Sequence, residues 1–450
     1  MNREDRERLE RRKRMLAREQ GNVPIPQPAQ SPQPAQRQTK RKNGTAQQST
    51  AGKSSSEPVG VQTENPKIRS ISEELRRRQR RRTALLVGAV VVLAAALALA
   101  SGVLSTSIAM LGDLTDSVYL AFNRAGGGWP ASTGIRTPLQ VEELAGGFVE
   151  LDGEDVAVYS AYGAKVRAFQ PGYARPALAV GNTRFAVYNR AGSELTVQSR
   201  TRQLYAKNFS SPIMLCAMSD NGTLAVVTES DRYAAEVNIY DPAFRDTPYV
   251  WKITQEDGTP IAMDFAPDNR RFAAGTVAAK DGQLCTNVRF MSLSSDTPGS
   301  VYQADTGSMV LKLEWLSSGR LLAVFDTYIT VLDTTSAAEV SRYDYGGSTL
   351  QSVSTCGKAT ALLLAVRGGN TLVTLNEKLT PLAMIPAGLA EKVTCTATEV
   401  YLLTDSGVES YAFDGVQNWS VDLGTRPQAV IEASHTLVFT PGQANILTGN

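Results

Sequence analysis

The sequence has one histidine, four cysteines and four tryptophans in 450 residues. Each scarcity closes off a chemistry. A single histidine, His435, removes the multi-histidine metal sites. It also makes any Ser-His-Asp set depend on one residue, which falls in the polar turn of SHTLVF, where a histidine reads as surface rather than catalytic. Cys216, Cys285, Cys356 and Cys395 form no CxxC pair and no zinc-like Cys/His spacing. All four read as small buried residues. Cys356 and Cys395 stand five or six residues before the second strand of neighbouring repeats. A bridge between them would need an oxidising compartment and a Cα separation of about 4.4–6.8 Å.

The chain also lacks an even spread of charge. Residues 1–82 carry 21 Lys+Arg against 9 Asp+Glu, and the remainder carries 25 against 35. The overall net charge of +2 therefore hides a basic tail joined to an acidic part. Residues 21–66 are rich in Pro, Gln, Ser, Thr and Ala, with almost no aromatic or β-branched core formers, and are expected to be disordered. Residues 1–20 have good helix formers and closely spaced opposite charges, the pattern of a solvated charged helix.

Residues 83–104, TALLVGAVVVLAAALALASGVL, contain no charge at all. A bilayer core requires about 20 apolar residues in a helix, so this run is long enough to span. RRRQRRR, Arg76 to Arg82, stands directly before it, whereas Asp113 and Asp116 follow it. The positive-inside rule then puts the N-terminus in the cytoplasm and the C-terminal part outside. A cleaved signal peptide has a short basic region and an apolar core of 7–15 residues, so the length of both segments here favours an uncleaved signal-anchor. The basic cluster 67–82 would attract anionic lipid at about 1 kcal/mol per basic residue. No aromatics interleave with it, so nucleic acid is not expected as a partner. The expected organisation is a cytoplasmic tail over 1–82, a transmembrane helix over 83–104, a juxtamembrane linker over 105–127 and an extracytoplasmic domain over 128–450.

From about residue 128 the sequence becomes short apolar segments of 4–8 residues broken by Gly, Asp, Asn and Ser, with no sustained helical period. SDNGTLAVV at 219–227, APDNRRFAAG at 266–275 and LSSGRLLAVF at 316–325 are versions of one unit. Each reads as a strand end, a polar turn requiring φ > 0, then a buried strand. First strands of such units fall near residues 138, 177, 213, 260, 310, 350, 391 and 427. The spacings run from 36 to 50 residues, about the 40–50 expected of a four-stranded propeller blade. Residues 429–450 have room for only three strands, and GWPASTG at 128–134 supplies the fourth, closing the ring through the two ends of the domain. The expected fold is an all-β propeller of eight blades, with seven as the near alternative.

YAFDGVQNWSVDLG, 411–424, resembles the blade pattern of quinoprotein-like propellers and, more distantly, WD-repeat ones, with Asp414, Gly415 and a Trp419 that docks between blades. YDPAFRDTPYVW at 240–251 keeps only Asp241 and a late Trp251. AVVTESDRYAAEVNIYD, 225–241, and RPALAVGNTRFAVYNRAG, 175–192, are similar to a family of uncharacterised membrane-anchored propeller proteins of clostridia-type Gram-positive bacteria. That resemblance covers most of 129–450 and implies a signal-anchored propeller at the cell surface. It brings no catalytic residues. A quinone enzyme would carry an acidic calcium site, stacked Trp and, commonly, adjacent cysteines, which this sequence does not have.

No residue set therefore presents itself for catalysis, a cofactor or a metal. The most individual polar cluster is Glu229, Asp231, Arg232 and Tyr233, expected in a loop after the second strand of the third unit. Propeller loops carry binding, so this loop is the candidate contact for a partner. The plainer reading is a loop ion pair with Tyr233 packed on a blade. The leading expectation is a non-enzymatic binding or scaffold module in the cell envelope, with an envelope protein or wall polymer as partner. The alternative is a small-ligand sensor or enzyme working in the central channel, favoured if carboxylates or Arg line that channel.

Overall fold

A computed structural model describes residues 112–113, 115–120, 127–245, 249–295, 299–357 and 359–449. The expected tail and membrane span at 1–104 lie outside these residues. Among the described residues no helix is long and apolar enough to cross a membrane.

Thirty-two strands, β1 (Ala131–Ser132) to β32 (Gln443–Ile446), form eight antiparallel four-stranded sheets. Their first strands begin at residues 140, 176, 213, 259, 310, 349, 392 and 429, each within two residues of the sequence-based position. The ring has eight blades. We letter the strands of each blade a to d from the channel outward.

The eighth blade closes the ring. It consists of β30 (Ala429–Glu432), β31 (Thr436–Thr440), β32 and, as its outermost strand, β1 from the other end of the domain. Ala131 pairs with Ala444 and Ser132 with Gln443. Thr133 N donates to Gly442 O at 2.9 Å, and Gly442 N donates to Ile135 O at 2.8 Å. Closure leaves the blade no long open edge.

The apolar strands are continuous rather than alternating because each blade is sandwiched between two others. Successive side chains on a strand point to opposite faces of its sheet. On β19 (Arg320–Phe325), Leu321 and Ala323 pack towards the fourth blade, and Leu322 and Val324 towards the sixth. On β23 (Ala359–Val366), Leu362 and Leu364 face the fifth blade, and Ala361 and Leu363 face the seventh. Eight hydrophobic clusters result, one at each blade-to-blade contact, including Phe148 and Tyr159 of the first blade against Leu437 and Phe439 of the eighth. Strands buried on both faces read as unbroken apolar runs.

Turn chemistry follows the sequence at two of the three repeats singled out. Gly222 (φ +88°) and Asn269 (φ +55°) adopt the left-handed region. Gly319 does not; Ser317 pairs directly with Arg320, and the two-residue turn closes without it.

Each a strand runs from one face of the ring to the other. The a–b and c–d turns therefore lie on one face, the ab face. The b–c turns and the links between blades lie on the opposite bc face.

Candidate functional site

The Glu229–Tyr233 loop joins β11 (Leu224–Thr228) to β12 (Ala235–Tyr240), which places it on the bc face of the third blade, as its position in the repeat implied. Glu229 N donates to Pro212 O at 2.9 Å, tying the loop base to the link from the second blade. Ser230 Oγ donates to Glu236 Oε1 at 3.1 Å. Glu229, Asp231 and Arg232 are exposed, and Tyr233 is half-buried. The expected loop ion pair does not form among the described residues. Instead Arg232 lies over the Tyr233 ring at 5.9 Å, and Lys252 of the neighbouring strand lies over it at 5.5 Å. Two cations on one ring hold the tyrosine in place while both loop carboxylates remain open to solvent.

Beside this loop, between the second and third blades, runs a groove of about 390 Å³ lined by Lys207, Ser210, Ser211, Glu236, Asn238 and Tyr240. Lys207 Nζ donates to Tyr240 Oη at 2.8 Å and sits over the rings of both Phe209 and Tyr240. The floor of the groove is thus a fixed cation on aromatic rings, and its walls are hydroxyls and amides.

The central channel is not a plain aliphatic bore. Glu142 lies on the innermost strand of the first blade and Lys312 on that of the fifth, four blades apart around the ring. Burial raises the Glu142 pKa, and the Lys312 ammonium offsets only part of that rise. Lys312 Nζ pairs with Glu314 at 2.7 Å, and Thr355 Oγ1 of the sixth blade donates to Glu314 at 2.6 Å. No group of three or more His, Cys, Asp or Glu among the described residues is arranged to hold a metal ion.

The other residues singled out in the sequence take structural places. His435 is exposed in an a–b turn of the eighth blade. Asp414 Oδ1 accepts the Val416 amide at 3.1 Å, Gly415 takes φ +88°, and Trp419 packs on Tyr401 against the eighth blade. Trp251 packs against Phe272 of the next blade at 6.0 Å. Cys395 is buried, but Cys216, Cys285 and Cys356 are only half-buried. Cys216, Cys285 and Cys356 therefore depart from the all-buried expectation. All four are free thiols.

One contact had no signal in the sequence. A helical stretch over 112–113 and 115–120, inside the expected linker, lies on the ab face of the second blade. Asp113 Oδ2 accepts Thr183 Oγ1 at 3.0 Å and Arg184 Nε at 2.8 Å. Arg202 pairs with Asp116 at 3.2 Å, and Arg200 donates to Ser117 Oγ. Arg184 also donates to Pro242 O at 2.6 Å, so one buried guanidinium joins the helix to two blades.

These features define an all-β, eight-bladed propeller with loops on both faces of the ring. By sequence the chain belongs to the family of unknown function DUF5711, whose model matches residues 131–446. No curated protein matches it. Among solved structures it is similar to the computationally designed Ika8 protein, with a TM-score of 0.52 and 12% identity over 71% of this chain and 98% of that one. It is also similar to BamB from Moraxella catarrhalis, with a TM-score of 0.47 and 15% identity over 68% and 93% of the two chains. Hsv2 of Kluyveromyces lactis gives a TM-score of 0.47 and 9% identity over 64% and 99%.

Proposed function

We propose that this chain is a membrane-anchored, extracytoplasmic propeller that acts as a non-enzymatic binding module, with the Glu229–Tyr233 loop and its groove as the contact for an envelope protein or wall polymer. Residues 83–104 cross the membrane, the basic segment before them lies inside against anionic lipid, and the ring stands outside. The observation that carries the binding role is the pair of exposed carboxylates, Glu229 and Asp231, held without ion-pair partners among the described residues beside a polar groove. Loops on a rigid scaffold are where recognition is built.

Crosslinking in native cells tests this. The whole chain, a form lacking 129–450 and a Glu229→Ala/Asp231→Ala/Arg232→Ala variant would be compared. The reading expects a defined set of envelope components to be captured by the whole chain and lost from both altered forms. Capture that survives the loop substitutions would remove the loop from the contact, and capture that survives loss of 129–450 would remove the propeller.

The channel supports a second reading. Glu142, Lys312 and Glu314 stand on innermost strands, Lys312 and Glu314 paired at 2.7 Å, and would offer charge to a small polar ligand. Calorimetric titration of the domain with small organic cations and anions, against a Glu142→Gln/Lys312→Met variant, discriminates the two. A ligand bound only by the unaltered channel would move the function there.

A further inference from the structure

The helical stretch over 112–113 and 115–120 turns a largely polar side to the ring and a different side away. Asp113, Asp116, Ser117 and Leu120 face the propeller, at the spacing of one helix face, and Asp116 and Leu120 are buried. Val118 and Tyr119 stand on the far side, 50% and 59% exposed. Every anchor on the ring belongs to the ab face: Thr183 and Arg184 in the a–b turn of the second blade, Arg200 and Arg202 in its c–d turn, and Pro242 in the c–d turn of the third.

The path of the chain agrees. β1 is the d strand of the eighth blade, antiparallel to β32, and so begins on the ab face. The polypeptide therefore reaches the ring from the same side on which the helix is docked. Residues 105–111 separate the helix from the apolar run ending at 104, a reach of at most about 25 Å when extended.

We propose that the Asp113–Arg184 and Asp116–Arg202 clamp fixes the propeller with its ab face against the membrane, Val118 and Tyr119 resting at the lipid interface, and the bc face with the Glu229–Tyr233 loop turned outward. This rests on the reading of 83–104 as a membrane span. Aromatic residues are favoured at the headgroup level, and an apolar pair beside a span suits that boundary. Without the clamp, nothing in the ring would fix which face meets the membrane, and its contact loop would often face lipid.

The strand rise sets the two faces roughly 20–30 Å apart, which energy transfer to labelled lipid resolves. The full chain would be reconstituted in phosphatidylethanolamine/phosphatidylglycerol vesicles carrying an acceptor-labelled lipid. A donor would be placed through an unnatural amino acid at Lys378, in a c–d turn on the ab face, or at Asp281, in a b–c turn on the bc face. The proposal expects strong transfer from position 378 and weak transfer from 281. The difference should be lost in Asp113→Ala/Asp116→Ala and reduced in the milder Arg202→Ala, whose half-exposed side chain is no part of the core. Thermal melting of each variant would verify that the ring is intact. Equal transfer from both positions, or a difference untouched by the substitutions, overturns the clamp while leaving the anchor standing. A chain that does not float with the vesicles overturns the membrane reading, and this inference with it.

Discussion

The backbone amide of Trp315 donates to the Asp264 carboxylate at 2.9 Å, and the indole Nε1 donates to the Asp264 carbonyl oxygen at 3.2 Å. One aspartate thus stitches the innermost strands of the fourth and fifth blades together. Burial dominates its electrostatics and pushes its pKa up to about 6 despite the two amides it accepts. Glu150, inside the first blade, is pushed up to about 7 for the same reason. A carboxyl whose folded pKa is raised binds more protons folded than unfolded between the two values. Stability must therefore fall as pH rises through that window. The windows are 3.8 to about 6 for Asp264 and 4.5 to about 7 for Glu150. At roughly 1.4 kcal/mol per unit, each contributes at most about 3 kcal/mol. Asp333 works oppositely: amides and the Arg320 guanidinium hold it down to about 2, so its contribution disappears only in stronger acid. The ring should melt at a higher temperature at pH 5 than at pH 7.5. Asp264→Asn and Glu150→Gln should each flatten that slope. A melting temperature that climbs over this interval and ignores both substitutions would refute the assignment.

Ring closure gives a second prediction. Tyr159 Oη reaches the carbonyls of Ser132 and Thr133 at 3.1 and 3.3 Å, and Lys165 Nζ reaches the latter at 3.4 Å. The first blade therefore holds the strand that completes the eighth. Tyr159→Phe keeps the ring stacked on Phe148 and removes only the hydroxyl, at a cost of about 1 kcal/mol in denaturant unfolding. Deleting residues 127–133 is a heavier change, because it leaves β32 as an unpaired edge. The deleted domain should melt markedly lower and self-associate on size-exclusion chromatography. A monomer of unchanged stability would mean that β1 closes nothing.

The blades were legible in the sequence because a strand packed on both faces is apolar at nearly every buried position rather than at alternate ones. RLLAVF and ATALLLAV carry that signature without any partner in view. Closure was legible too, since three strands at one end and one at the other complete a single sheet. The loop of Glu229 to Tyr233 could be placed from its position in the repeat. Its rings and cations could not, because Lys252 comes from a strand beyond it. The helix clamp was hidden for the same reason: Asp113 and Asp116 find their arginines 71 and 86 residues away. The charges of the innermost strands were hidden as well, because Glu142 and Lys312 stand on opposite blades that face each other only once the ring has closed. Local pattern fixes strands and turns; contacts between distant blades depend on the geometry of the closed ring.

Gly407 offers a test of blade packing. It opens the c strand β28 (Gly407–Tyr411) opposite Asp422, and a Cβ there would collide with the Val421 carbonyl oxygen on the next strand. Backbone cannot yield as a flexible side chain does. Gly407→Ala should destabilise the ring by about 1–3 kcal/mol. Gly153, around which a Cβ meets open space, is the control and should tolerate alanine with little change in melting temperature. Equal effects at the two positions would show that the seventh blade relaxes freely at this contact.

The last prediction concerns two thiols that the ring brings together. Cys356 and Cys395 end the innermost strands β22 (Thr349–Cys356) and β26 (Lys392–Cys395) of adjacent blades. Ser354 binds these strands to each other, its hydroxyl accepting the Cys395 amide at 3.0 Å. The Cys395 thiol donates to Ser354 Oγ at 3.5 Å and the Cys356 thiol to the Ala359 carbonyl at 3.5 Å. The neighbouring Cys395 thiol draws the Cys356 pKa down, while the same coupling and burial push that of Cys395 up. Burial also holds Cys216 well above the ordinary thiol value. The thiolate is the reactive form, so alkylation should follow these directions. In a time course with iodoacetamide near pH 7.5, peptide mass mapping should find Cys356 modified before Cys216 and Cys395. Cys395→Ala removes the neighbouring thiol and should slow Cys356 several-fold, although it opens access to the sulfur. If Cys356 instead reacts faster in that variant, access rather than the neighbouring thiol controls it, and the pair has no electrostatic coupling.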